Sequence, residues 1–186
     1  TGYFSPATGR WLPELVETAL GKPAALPRPA APAEVVARTP AGAALSAGTG
    51  DNMGAALGLG LGLGEVVVSI GTSGTAYAVA AEPAADSSGA VAGFADATGR
   101  FLPLVATINA ARVLTVTARM LGTDADGLSR LALAAPPGAQ GLVLLPYLDG
   151  ERSPNRPRAN GVLRGLTSAN TTQENMARAA VEAVLC

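Results

Sequence analysis

The chain has 186 residues, enough for one domain with a buried core or for parts of two smaller lobes. Apolar residues make up 48% of the chain and charged residues 15%, a balance that favours a packed globular core and argues against global disorder. The formal net charge of −1, without a dense Lys/Arg cluster, argues against nucleic acid as a partner, and the absence of histidine argues against a metal cluster.

Several features of the sequence bear on the location and extent of the protein. The only cysteine, Cys186, has no partner within the chain, which excludes an internal disulfide and agrees with a reducing cytoplasm. The apolar stretch at residues 53–64 is too short to span a bilayer, and no signal peptide is visible. Because the chain lacks an initiator Met and its last predicted helix has no stop signal, we expect a larger protein to continue on both sides.

The first third of the chain is predicted to contain short elements joined by a linker. Residues 11–16 suit a short helix, and the prolines that recur through residues 22–40 predict an extended connector that cannot be helical. A short buried strand is predicted at residues 43–47. It is followed by a helix over residues 53–59, so that Asp51 lies at a strand-to-helix turn.

The middle of the chain is typical of an antiparallel meander. Two runs rich in β-branched residues, 65–70 and 75–80, flank a glycine-rich segment and predict a hairpin. Strands at residues 91–95 and 101–106 are predicted to extend this meander.

The remainder of the chain is predicted to alternate helices and a strand. Helices are expected at residues 110–121 and 124–134, a buried strand at 141–145, a polar loop at 146–160 and a helix from residue 175. This order predicts an α/β fold: an incomplete ribonuclease-H-like lobe of the actin and hexokinase type, with a mixed sheet and flanking helices.

A spaced motif near the end of the chain is the most specific signal. Residues 161–166, Gly-Val-Leu-Arg-Gly-Leu, are followed after eight residues by residues 175–182, Asn-Met-Ala-Arg-Ala-Ala-Val-Glu. This pattern resembles the second signature of the FGGY family of carbohydrate kinases, and segments 50–52, 69–74 and 146–154 agree with that family in order. The resemblance implies that residues 1–40 end a sugar-binding lobe and that residues 41–186 begin a nucleotide-binding lobe, with Asp51 near their junction.

Asp51 is the candidate catalytic residue. From the residues alone, Asp51 could either N-cap the following helix or accept a proton. The resemblance implies the second role, because attack by a sugar hydroxyl on a phosphoryl group needs a proton acceptor. Asn52 is similar to the neighbouring sugar-contacting position; glycerol kinases carry Gln there, so Asn favours the xylulokinase branch.

A glycine-rich turn is the candidate nucleotide site. Its residues offer unobstructed backbone N–H groups and two hydroxyls, and they are Gly71, Thr72, Ser73 and Gly74. Taken alone, they could form an ordinary hairpin turn; the resemblance implies contact with the ATP phosphates. Ala111 resembles a second nucleotide-contacting position, which is Gly in glycerol kinases.

Two other segments allow more than one interpretation. The glycines at residues 58–64 follow a predicted helix, so they indicate a helix end and not a dinucleotide fingerprint. Glu151 and Arg152 form either a solvated pair on the 146–160 loop or part of the active-site wall.

The resemblance implies an ATP-dependent cytoplasmic kinase that acts on a sugar, with D-xylulose as the expected substrate and Mg²⁺ bridging the nucleotide phosphates. Residues 1–186 alone are expected to be inactive, since they lack most sugar and adenine contacts. Two alternatives stay open: another FGGY kinase, acting on gluconate, glycerol, ribulose or rhamnulose, or a non-catalytic actin-like nucleotide-binding domain. A homodimer is also compatible with the resemblance, whereas membrane association is not expected.

Overall fold

The computed structural model describes residues 2–185, which form two compact units. The first unit comprises residues 2–67 and 77–104, and the second comprises residues 68–76 and 105–185. Cys186, on which the disulfide prediction rests, lies outside the described residues. Within residues 2–185, every helix is too short or too polar to traverse a lipid bilayer.

The secondary structure is mixed, as predicted. The strands are β1 (Phe4–Ser5), β2 (Arg10–Trp11), β3 (Val35–Arg38), β4 (Ala44–Ser46), β5 (Val66–Ile70), β6 (Gly74–Ala78), β7 (Ala92–Ala95), β8 (Phe101–Thr107), β9 (Val143–Leu145) and β10 (Val162–Arg164). The helices are α1 (Pro13–Leu20), α2 (Asp51–Gly58), α3 (Ala111–Met120), α4 (Ala125–Ala134) and α5 (Gln173–Leu185).

Helix α1 confirms the predicted short helix and has clear boundaries. It begins with a proline at its first turn, where the missing N–H costs nothing, and it ends at Gly21, whose φ of 71° is left-handed. The N-terminal turn that precedes it is closed by β1 and β2, whose Phe4 and Trp11 rings meet edge to face at 5.4 Å. This small hairpin was not predicted from the sequence.

Two predictions for residues 22–47 need correction. The connector is not helical, but its last residues form β3, which pairs antiparallel with β4. The strand predicted as buried, β4, is exposed along its whole length. The reason is that β3 and β4 form a separate two-stranded ribbon, so neither strand lies inside a larger sheet.

The largest sheet has the strand order β5-β6-β8-β7. The predicted hairpin of β5 and β6 is confirmed, as is the antiparallel pair of β7 and β8. The prediction of a simple meander is wrong in its order, because β8 returns between β6 and β7 and leaves β7 at the edge.

The core of the second unit is built from small side chains on three mutually packed helices. Ala118, Leu128, Ala132 and Ala177 form one buried cluster where α3, α4 and α5 meet. Alanines let the helix backbones approach closely.

A left-handed backbone turn precedes β9. Four consecutive residues have positive φ: Gly138 (79°), Ala139 (46°), Gln140 (52°) and Gly141 (84°). After it, Leu142 is buried but β9 itself is exposed at both ends, so the strand predicted as buried at 141–145 is only partly so. Strand β9 pairs antiparallel with β10, a strand not predicted from the sequence.

Candidate active site

Asp51 lies in the first unit as the first residue of α2. The N-cap position belongs to Gly50, and no side chain caps this helix, so Asp51 does not act as the N-cap. Its Oδ1 accepts hydrogen bonds from the backbone N (2.8 Å) and the side-chain Nδ2 (3.2 Å) of Asn52. The Asp51 side chain is exposed, and its Oδ2 accepts no hydrogen bond from residues 2–185. This oxygen is therefore accessible to a substrate hydroxyl.

The glycine-rich turn lies in the second unit between β5 and β6. Its first three residues are exposed, and the turn is closed by a hydrogen bond from the Gly71 N to the Ser73 carbonyl (2.9 Å). Gly74, in contrast, is buried. A Cβ at Gly74 would lie 2.8 Å from the Thr107 Oγ1 and 3.3 Å from the Ala110 Cβ, so a larger residue would displace the Thr107 side chain.

Ala111 contacts the glycine-rich turn through its backbone. Its N–H donates to the Gly71 carbonyl (2.9 Å), which holds the start of α3 against the turn. The structure therefore brings together two segments that the sequence marked separately as nucleotide-contacting. The Ala111 N–H is therefore engaged with the turn, and contact of Ala111 with a nucleotide stays a prediction.

Glu151 is a buried carboxylate beside these residues. It is 2% exposed, although it belongs to the 146–160 loop. Its Oε1 accepts from the backbone N of Ile108 (2.6 Å) and of Arg152 (2.7 Å). Its Oε2 accepts from the backbone N (3.3 Å) and the side-chain Nδ2 (3.0 Å) of Asn109. The interpretation of Glu151 and Arg152 as a solvated pair is therefore wrong for Glu151, while Arg152 is exposed.

These donors decide the charge state of Glu151. Burial acts to raise the pKa of its carboxyl, but the hydrogen bonds from Ile108, Asn109 and Arg152 outweigh burial and hold the pKa below its ordinary value of 4.5. A hydrogen bond to a charged group contributes about 1.5–3 kcal/mol, so the set compensates the loss of hydration. Glu151 is thus a carboxylate whose two oxygens each accept two hydrogen bonds from the protein.

Folding of the 146–160 loop places Glu151 in this position. The backbones of Glu151 and Arg156 exchange two hydrogen bonds (3.0 and 2.9 Å), which close the loop on itself. Gly150 has a φ of 84° and lies against the Pro157 backbone, where a side chain would not fit. The exposed ion pair between Arg112 and Asp149 (2.9 Å) adds a second tie to α3. Exposed pairs of this kind contribute only about 0–1 kcal/mol, so Glu151 is the stronger tie.

Asn109 is a polar residue that sequence reasoning missed. It is 5% exposed, and its Nδ2 donates to the Gly150 carbonyl (2.7 Å) as well as to Glu151. Its Oδ1 is buried and has no partner among residues 2–185. The only available signal was its place between a strand and a helix, which is too common to identify a site.

A cavity of about 670 Å³ in the second unit adjoins this cluster. Asn109, Glu151, Gly74 and Thr107 line one part of it, and the side chains of β5 and β9 supply apolar walls. The cluster therefore places polar groups beside a mainly apolar space.

Residues of the spaced motif at 161–182 make close packing contacts within the second unit. Gly165 has a φ of 84° and lies directly against the Gly141 carbonyl, which leaves no room for a side chain. In α5, Ala177 and Ala180 are fully buried, and the Glu182 Oε1 accepts from the Gly138 N (2.9 Å) and the Arg178 Nε (2.6 Å). The motif thus anchors β10 and α5 to the left-handed turn.

No group of three or more Asp, Glu, His or Cys side chains suited to a metal ion occurs among the described residues.

The sequence and the fold together define the class of protein. Residues 66–186 match the model of the FGGY family of carbohydrate kinases, C-terminal domain. Because this match covers more than half of the chain, the chain belongs to the FGGY family of carbohydrate kinases.

Individual relatives of the chain include xylulose kinases and a gluconokinase. The xylulose kinase of Streptomyces coelicolor is 42% identical over 98% of this chain and 38% of that protein. The crystal structure of xylulose kinase from Bifidobacterium adolescentis is 41% identical, with a TM-score of 0.88 over 99% of this chain and 41% of that chain. A gluconokinase from Bacillus licheniformis is 35% identical over 66% of this chain and 26% of that protein.

These comparisons confirm the predicted fold class, the α/β fold of the actin and hexokinase type. The chain spans only 38% of the Streptomyces coelicolor relative and 41% of the Bifidobacterium adolescentis one.

Proposed function

We propose that this chain is part of an ATP-dependent kinase that phosphorylates D-xylulose to D-xylulose 5-phosphate. The observation that carries this proposal is the 42% identity to a xylulose kinase over 98% of the chain. The exposed Asp51 and the glycine-rich turn supply groups that such a reaction needs.

In this proposal, Asp51 accepts the proton of the sugar hydroxyl through its free Oδ2, and Asn52 fixes the carboxylate through two hydrogen bonds while its half-buried side chain adjoins the sugar. The exposed N–H groups and hydroxyls of Thr72 and Ser73 hold the nucleotide phosphates, and Gly71, Gly74 and Ala111 fix the position of the turn. Mg²⁺, when bound with ATP, would neutralise charge on the phosphates.

The remaining assignments are also proposals. Residues 1–40 belong to a sugar-binding lobe and residues 41–186 to a nucleotide-binding lobe, which is supported by the match to a C-terminal-domain model from residue 66 onward. The cytoplasmic location and the homodimer stay predictions from composition and family resemblance.

A second candidate substrate is gluconate, because gluconokinases are among the relatives. The test uses a full-length protein carrying this sequence, with ADP release measured on addition of D-xylulose, D-gluconate, glycerol, L-ribulose or L-rhamnulose. We expect kcat/KM for D-xylulose to exceed the others by at least about 10-fold. A higher kcat/KM for D-gluconate would show that the substrate is gluconate and not D-xylulose. If no tested sugar causes ADP release, the result would favour a nucleotide-binding module without kinase activity.

A further inference from the structure

Glu151 is connected to the glycine-rich turn through the segment that precedes α3. Its carboxylate accepts hydrogen bonds from the backbone N–H groups of Ile108 and Asn109, which lie just before the start of α3. Two positions later, the Ala111 N–H holds the Gly71 carbonyl at 2.9 Å. The buried carboxylate and the turn are therefore connected by two hydrogen-bonded contacts that are joined through the backbone of residues 109–111.

Packing makes this connection rigid. Gly74, at the other end of the turn, lies so close to the Thr107 Oγ1 and the Ala110 Cβ that an added side chain would displace them. The turn thus contacts residues 107–111 at both of its ends. A shift of those residues must move the turn, since a packed core deforms little.

Asn109 joins the two parts of the connection. Its Nδ2 bonds both the Gly150 carbonyl (2.7 Å) and Glu151 (3.0 Å), so the loop and the segment before α3 are held at a side chain as well as at the backbone. Removing the charge of Glu151 would leave several buried N–H groups with a weaker acceptor, and residues 107–111 would have to move to rebond them.

We propose that Glu151 is a positioning residue, whose carboxylate sets the place of the glycine-rich turn through residues 108–111 and thereby the fit of the nucleotide phosphates; the nucleotide part rests on the proposed function. Glu151 is not assigned a contact with sugar, nucleotide or the transferred group. Its effect on the reaction is exerted through Ala111 and Gly71.

The test compares Glu151→Gln with the unchanged protein in a full-length protein carrying this sequence. Amide hydrogen exchange at Ala111 reports on the bond to Gly71, and steady-state kinetics report KM for ATP and for D-xylulose separately. We expect faster exchange at Ala111 and a kcat/KM for ATP lower by roughly 10- to 100-fold, with KM for D-xylulose changed by less than about 2-fold.

Asp96→Asn is the matched control. Asp96 is also a buried carboxylate, 9% exposed, that accepts from Thr98 and Arg100 within its own turn. It lies in the first unit, and no described hydrogen bond joins it to residues 71–74 or 107–111. We expect Ala111 exchange and ATP kinetics in this variant to match those of the unchanged protein.

Asn109→Ala keeps the proposal testable if Glu151→Gln does not fold. It removes only the side-chain amide, and Glu151 retains its hydrogen bonds to the backbone. We therefore expect Ala111 exchange to be faster and kcat/KM for ATP to be lower, both by less than in Glu151→Gln. Unchanged Ala111 exchange in Glu151→Gln, or in Asn109→Ala where Glu151→Gln does not fold, would overturn the positioning role. An equal loss of ATP kinetics in Asp96→Asn would overturn it as well. If the unchanged protein transfers no phosphoryl group to any sugar, the proposed function fails, and Ala111 exchange in Glu151→Gln still decides whether Glu151 fixes the turn.

Discussion

At the scale of single residues, the carboxylates of Asp51 and Glu151 differ in their exposure to solvent and in the hydrogen bonds that they accept. The exposed Asp51 has one oxygen bonded only to its neighbour Asn52 and the other free, which suits an acceptor that must meet a substrate. Glu151 is buried, and its oxygens accept four hydrogen bonds from the protein, which suits a fixed structural anion. A search for acidic residues alone would treat the two alike.

The pKa of Glu151 leads to a prediction for stability against pH. Its folded-state pKa lies below the ordinary 4.5, so its charge stabilises the fold above that value, and the contribution is lost as pH falls through the folded-state pKa. We expect urea unfolding of the unchanged protein, measured from about pH 6 down to about pH 3, to show this loss.

In Glu151→Gln the same measurement should show a shallower fall on the acidic side, since one proton fewer is taken up on unfolding. Overall stability of the variant should be lower at neutral pH. Identical acid slopes in the two proteins would show that Glu151 is not held as an ionised group in the fold.

At the scale of elements, the left-handed turn at residues 138–141 shows how strain is offset. Ala139 and Gln140 have positive φ without being glycine, which costs about 1–3 kcal/mol each. Ala139 is fully buried beside α5, and the Gln140 carbonyl accepts from the Asn170 Nδ2 (3.1 Å). The Glu182 bond to Gly138 completes the anchor, so Glu182 of the spaced motif has a structural role in holding this turn.

Gly165→Ala should therefore destabilise the second unit. A Cβ at Gly165 would need a φ of 84° and would collide with the Gly141 carbonyl, so we expect a loss of at least about 2 kcal/mol in the free energy of unfolding. Urea denaturation followed by circular dichroism measures this change.

Gly58→Ala is the matched substitution for that measurement. Gly58 ends α2, has no neighbouring atom within 4 Å of an added Cβ, and does not have positive φ. Its replacement should leave stability unchanged or raise it by less than about 1 kcal/mol. Equal effects at Gly58 and Gly165 would show that backbone geometry at Gly165 is not the cause.

The helices and strands also show which parts of the fold could be predicted from the sequence. The hairpin of β5 and β6 and the helices α3 to α5 were predictable because local runs of residues specify them. The exposure of β4 and the return of β8 between β6 and β7 were not, since both depend on pairing between distant segments. Burial of Glu151 likewise depends on residues about 40 positions away, as with its bond to Ile108 at a separation of 43.

At the scale of the whole molecule, the candidate groups are divided between the two compact units. Asp51 and Asn52 belong to the first unit, and the glycine-rich turn, Ala111 and Glu151 belong to the second. The matched relatives are more than twice as long as this chain, so activity has to be measured in a full-length protein that carries it.

The central claim is that such a protein transfers a phosphoryl group from ATP to D-xylulose with Asp51 as the proton acceptor. The direct measurement is the single-turnover rate of sugar phosphate formation, followed together with ATP affinity, in Asp51→Asn. Asp126→Asn serves as the control, because Asp126 is likewise an exposed acid in the first turn of a helix. We expect Asp51→Asn to lower the transfer rate by roughly 10²-fold or more, with ATP affinity changed by less than about 2-fold and the control unchanged. A transfer rate in Asp51→Asn close to that of the unchanged protein would contradict the account.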